Sequence, residues 1–118
     1  MKERLLTPNE LDQLMKDIIK VIDGDERRLP KTDSYLGLSD LRIEIEPRGY
    51  EYIYSERGME SFRYLAIDLD DLLYHVFKDI TRDMFSDSGQ VKLKKQSELL
   101  TRLRSNWAER FVLENRRR

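Results

Sequence analysis

The sequence predicts an α+β domain: an N-terminal helix, a three-stranded antiparallel β-meander, then two to three C-terminal helices packed on the sheet. Two observations carry this expectation. The spacing of apolar residues changes from a period of 3.6 to a period of two near residue 41, and returns to 3.6 near residue 68. The period-two runs are separated by only a few residues, which suits hairpins but not the long crossovers of parallel strands. At 118 residues the chain is expected to be one domain spanning 1–118.

Thr7-Pro8-Asn9-Glu10 is a helix start, with Thr as N-cap, Pro at the first helical position and Glu at the third. Leu11, Leu14, Met15, Ile18 and Ile22 follow as an apolar stripe, and Gly24 supplies a stop. Residues 25–39 are polar and read as a long loop with room for a short strand. Leu41, Ile43 and Ile45 then alternate with Arg42, Glu44 and Glu46. Pro47-Arg48-Gly49 breaks this strand, Tyr50 to Ser55 forms the second, Arg57-Gly58 turns the chain, and Glu60 to Ile67 forms the third. Asp68 opens the second helix, with Asp70 and Asp71 in its first turn, where carboxylates suit the helix dipole. Leu69, Leu72, Leu73, Val76, Phe77, Ile80 and Met84 make its inward stripe, and Ser86 to Gly89 end it. A third helix is expected from Gln90 to Leu103, and an Asn106/Glu109 capping box starts a short fourth carrying Trp107 and Phe111.

Charge is abundant but nearly balanced, with 22 basic and 23 acidic side chains. Its distribution is uneven: residues 1–67 sum to −3, residues 68–89 to −4, and residues 90–118 to +6. The chain has no cysteine, so disulfides and thiolate ligands are excluded. No apolar run approaches the roughly 20 residues that span a bilayer. The opening MKERLLTPNEL lacks the apolar core of a secretory signal, so a cytoplasmic location without membrane contact is expected.

The residues argue against catalysis. His75 is the lone histidine, so a Ser-His-Asp arrangement would have to use it, and it sits mid-helix between Tyr74 and Val76. The five glycines are scattered singly, so no phosphate-cradling loop or cofactor motif exists. Helix capping accounts for Asp68, Asp70 and Asp71 without a metal. A sequence pI near 5.9 disfavours nucleic acid, although Lys92, Lys94, Lys95, Arg102 and Arg104 are clustered. Tyr50, Tyr52 and Tyr54 share one strand face, and two readings stay open: half-buried packing, or an exposed aromatic binding face.

Three blocks then stand in order: GYEYIYSERG, DLDDLLYHVFKDIT and QSELLTRLRSNWAER. Gly49, Tyr50, Tyr52, Glu56, Arg57 and Gly58 form the first motif. Asp71, Leu72, Leu73, Tyr74, Val76 and Phe77 form the second, and Gln96, Glu98, Leu99, Leu100, Trp107, Ala108, Glu109 and Arg110 the third. Together they resemble the bacterial immunity protein 63 family, with His75 standing where that pattern has Trp and Lys78 where it has an acid. The resemblance implies a non-catalytic antitoxin that binds and neutralises a cognate polymorphic toxin, including LXG-type nuclease toxins, with no cofactor. For such a role the expected toxin-binding residues are the acids Glu44, Glu46, Glu51, Asp68, Asp70 and Asp71, with Tyr50, Tyr52 and Tyr54 as aromatic anchors. The alternatives are a nucleic-acid-binding accessory protein using the basic C-terminal segment, and an adaptor module that could homodimerise through the tyrosine-bearing sheet.

Overall fold

The computed structural model describes residues 4–32 and 39–116. Most of the second half of the expected 25–39 loop, and the last two arginines of the C-terminal run, lie outside the described residues. Helix α1 spans Pro8–Val21 and opens with the expected capping box: Glu10 N donates to Thr7 Oγ1 at 3.2 Å, and Thr7 N donates to Glu10 Oε1 at 2.9 Å. Its inward side buries Leu11, Met15 and Ile19, with Leu14 and Ile18 flanking them. In the loop that follows, Glu26–Arg28 form one 3-10 turn, and Lys31 makes an isolated parallel bridge to Arg42 at the edge of the first strand.

Strands β1 (Ser39–Glu46), β2 (Gly49–Glu56) and β3 (Met59–Ala66) form an antiparallel sheet in the order β1-β2-β3. The register sets Ile43 opposite Tyr52, and Tyr52 opposite Tyr64. Both connections are two residues long. At the second, Arg57 (φ 54°) and Gly58 (φ 77°) both adopt positive φ, the type I′ geometry whose twist matches a hairpin. At the first, Gly49 leaves the turn at φ 151°, and a Cβ there would lie 2.3 Å from the Ala66 carbonyl oxygen. Glycine is required at that point because β3 passes so close.

Helices α2 (Leu69–Asp83), α3 (Gly89–Leu103) and α4 (Ser105–Arg116) complete the order. Only Arg104 separates α3 from α4. Its extended backbone serves as the C-cap of α3, and its carbonyl accepts from Trp107 N at 3.1 Å. That junction replaces the expected Asn106/Glu109 box: with one linking residue there is no room for a separate capping turn, and the Asn106 amide points to Asp70 instead. All the helices lie against one face of the sheet. The core joins Ile43, Tyr50, Tyr52 and Ala66 to Leu72, Leu73, Val76, Phe77 and Ile80 of α2, with Leu100, Trp107 and Phe111 beyond them. Trp107 stacks on Phe77 at 6.1 Å between ring centroids. Gln96 crosses from α3 to donate to the Lys78 carbonyl of α2 at 2.8 Å.

Candidate interaction surface

With the helices on one side, the residues of the opposite parity form an open face: Asp40, Arg42, Glu44 and Glu46 of β1, Glu51, Ile53 and Ser55 of β2, Glu60, Arg63 and Leu65 of β3. Ile53 is at its centre, between Arg42 and Arg63 in register, and is fully buried although no described helix packs on it. The two arginines flank it in register, with aliphatic stems of the kind that can shield an apolar neighbour, and their guanidinium groups find carboxylates. Arg42 donates to Asp40 at 2.9 Å, to Glu44 at 3.0 Å and to Ser55 Oγ at 3.0 Å. Arg63 donates to Glu51 and, at 3.0 Å, to Glu60. Arg48 lies near Glu46 and Glu51 at 3.6 and 3.7 Å. The Arg63 hydrogen bond holds Glu51 below the ordinary carboxylate range, against the upward push of burial. Asp40 and Glu51 are the inner partners of this network, whereas Glu44, Glu46 and Glu60 carry their carboxylates to solvent.

The nine residues expected to bind a partner are thus divided by the fold. Glu44, Glu46 and Glu51 come together on the open face. Tyr50 and Tyr52 turn to the helices and are 2% and 1% exposed, with hydroxyls that bind inside the protein. Tyr50 Oη accepts from Leu6 N at 2.9 Å, and Tyr52 donates to Asp79 Oδ2 at 3.0 Å. Packing is therefore the role the structure gives these two rings, and Tyr54 beside them is half-buried. Asp68 caps α2, accepting from Asp71 N at 2.8 Å, and also lines a cleft of about 290 Å³ with Arg4, Arg48, Tyr50 and Ile67.

Asp70 and Asp71 bind α4. Asp70 accepts from Trp107 Nε1 at 2.9 Å, and Asp71 accepts from Tyr64 at 2.7 Å and Arg110 at 2.7 Å. Burial pushes the Asp71 carboxyl up, but Tyr64 and Arg110 outweigh it and hold the group below its usual range. Arg110 continues the network, covering the Tyr74 ring at 4.1 Å, donating to Glu114 at 3.2 Å and approaching His75 Nε2 at 3.3 Å. Tyr74 itself donates to Glu114. Of the motif residues, Leu72, Leu73, Tyr74 and Trp107 are buried, while Glu56, Arg57 and Gly58 are exposed at the hairpin tip. Sequence reasoning did not single out Arg42 and Arg63. For Arg42 the available signal was its place between Asp40 and Glu44 on one strand face; Arg63 carried no such signal, because Glu60 reaches its face only through the extra residue Ser61.

Among the described residues, no group of three His, Asp or Glu side chains could hold a metal ion, and no helix is long and apolar enough to cross a membrane. A family model described as Immunity protein 63 matches residues 46–117, more than half of the chain. No curated protein and no solved structure matches.

Proposed function

The chain belongs to the immunity protein 63 family, and from that membership we propose that it is an antitoxin, which binds a cognate toxin domain in the cytoplasm of the producing cell and neutralises it without catalysis. The family match carries this reading. The open sheet face is the surface we assign to the contact. Arg42, Arg48 and Arg63 are already engaged with carboxylates there, so the lone pairs left for a partner belong chiefly to Glu44, Glu46 and Glu60. Such a face complements a basic surface, gaining association rate and specificity from charge. A nuclease of the kind carried by LXG-type toxins fits this description, because it must hold a polyanion.

The basic C-terminal segment supports the nucleic-acid alternative less well. Lys95 pairs with Asp87, Arg102 donates to the Val21 carbonyl, Arg104 pairs with Asp70, and Arg110 is held by Asp71. Those cations are partly committed to the fold.

The test is survival of a bacterial host expressing the toxin domain of the adjacent gene, with and without this protein. Rescue, together with a complex that persists through size-exclusion chromatography, is expected. Replacing Glu44 and Glu46 together with Lys should then weaken binding at least about tenfold, mainly by slowing association. Asp70 and Asp71 are unsuitable for that purpose, since reversing them would release α4. Toxicity unrelieved by the wild-type protein sinks the antitoxin reading for that pair. Rescue with full affinity in the folded Glu44/Glu46 variant sinks only the assigned face.

A further inference from the structure

We propose that this protein forms a symmetric dimer by antiparallel pairing of β3 with β3 of a second copy, in the register that sets Glu60 opposite the partner's Arg63. The inference is independent of the toxin-binding reading.

The two edges of the sheet differ. Lys31 pairs along the outer edge of β1, accepting from Ile43 N at 2.8 Å and donating to the Leu41 carbonyl at 2.9 Å. No described segment pairs with the outer edge of β3. Its residues Met59 to Arg63 are all exposed, including Met59 at 75% and Phe62 at 44%. This end of the strand thus extends past the helices with apolar side chains uncovered. An edge of that kind is a template for another strand.

The occupant follows from a bulge. Phe62 pairs with Tyr54 and Glu60 with Ser55, which leaves Ser61 as an extra residue in β3. In a regular strand, residues three apart face opposite ways. Here the extra residue brings Glu60 and Arg63 onto the same open face, where Arg63 donates to Glu60 at 3.0 Å. Met59 and Tyr64 share the helix-side face for the same reason.

Two-fold pairing of identical strands requires opposed residues to share a face, and the bulge decides which registers meet that condition. Centring the pair between Ser61 and Phe62 sets Glu60 against Arg63 twice on the open face, and Met59 against Tyr64 twice on the helix side. Centring it on Phe62 would set Glu60 against Tyr64, on mismatched faces. Centring it on Arg63 would oppose like charges. One register is therefore self-complementary in both charge and face, as an isologous contact must be. Bulges and charges often guard an edge against pairing. These charges differ from a guard of one sign because a second copy supplies the opposite charge at each position. The product is a six-stranded sheet whose two open faces are continuous.

Sedimentation velocity of the full chain across a dilution series tests the proposal. A dimer that dissociates on dilution is expected, because two short strands make a small interface. Glu60→Arg and Arg63→Glu should each be monomeric, since each opposes like charges across the axis. Mixing those two variants should restore a one-to-one dimer, because every charge then meets its opposite. Phe62→Lys, at an exposed position beside the axis, should also be monomeric with an unchanged circular dichroism spectrum; it decides the matter if Arg63→Glu fails to fold. A wild-type protein that stays monomeric at every concentration overturns the proposal. So does a dimer that survives both Glu60→Arg and Phe62→Lys.

Discussion

Trp107 Nε1 donates to Asp70 Oδ1 at 2.9 Å, joining the first turn of α4 to the first turn of α2 across 37 residues of sequence. Asp70 also receives the Asn106 amide at 3.3 Å and approaches the Arg104 guanidinium at 3.4 Å. One carboxylate therefore gathers three donors from the α3–α4 junction. Trp107 is almost wholly buried, so its N–H has no ready replacement in water. Asp70→Ala should cost about 1–3 kcal/mol of stability, the usual penalty for an orphaned buried donor. Asp70→Asn keeps an acceptor and should cost less, as read from urea midpoints. Equal losses in the two variants would show that charge, not the indole hydrogen bond, is what Asp70 supplies.

The same pair shows what a linear sequence can disclose. That Asp70 occupies a helix first turn follows from local spacing, and so does the burial of Trp107 in an apolar stripe. Their contact does not, because it depends on how α4 returns across α2. The tyrosines repeat the lesson. Alternation identified the strand and grouped Tyr50 with Tyr52, but the faces of an isolated strand are equivalent until something packs on one. Leu6 N and Asp79, their partners, lie 44 and 27 residues away. The open face was more accessible to inference on β1, since alternation with Leu41, Ile43 and Ile45 turned Glu44 and Glu46 outward; for Glu51 on β2, parity left both faces open. Arg42, which holds Glu44, was visible in the same alternation, whereas Arg63 was not. The bulge at Ser61 was not, because nothing in Glu60-Ser61-Phe62 distinguishes an extra residue from a regular strand.

His75 makes stability depend on pH. His75 Nε2 lies 3.3 Å from Arg110 Nη2, which a neutral imidazole can accept from, and 3.5 Å from Asp71 Oδ1, which a protonated one would donate to. Burial lowers the His75 pKa below its ordinary 6.5, and Lys78 and Arg110 lower it further; Asp71 and Glu114 oppose them. The unfolded chain then binds the proton more readily than the folded one. Stability from this group should be complete above about pH 6.5 and fall as pH drops toward the lowered folded value. Urea titrations between pH 7.5 and about 5, above the carboxylate range, should show that loss in the wild type and less of it in His75→Gln. Identical slopes in the two proteins would remove His75 from the account.

Gly49 should tolerate no side chain. Its φ of 151° and the 2.3 Å approach of a built Cβ to the Ala66 carbonyl act together. Gly49→Ala must either strain the turn or push β3 away from β2. A cost of at least about 1–3 kcal/mol is expected from the backbone conformation alone, seen as a lower thermal midpoint. A substitution with no effect on that midpoint would mean that the hairpin relaxes without disturbing the Tyr50–Ala66 pairing.

Arg57 presents the opposite case, a residue whose replacement should stabilise the protein. It holds φ at 54° on the exposed hairpin tip, a conformation that costs an ordinary L-residue about 1–2 kcal/mol and that Asn adopts more readily. The type I′ turn itself favours Asn-Gly. Arg57→Asn should therefore raise stability by up to about 1 kcal/mol without altering the strand register. Thermal denaturation alongside amide hydrogen exchange in β2 and β3 checks both halves of that expectation. A gain in stability would identify Arg57 as a locally costly choice, and a property of its guanidinium, such as contact with a partner, would then have to explain its presence. A loss would show instead that the arginine side chain supports the tip, and that its backbone strain is already offset within the fold.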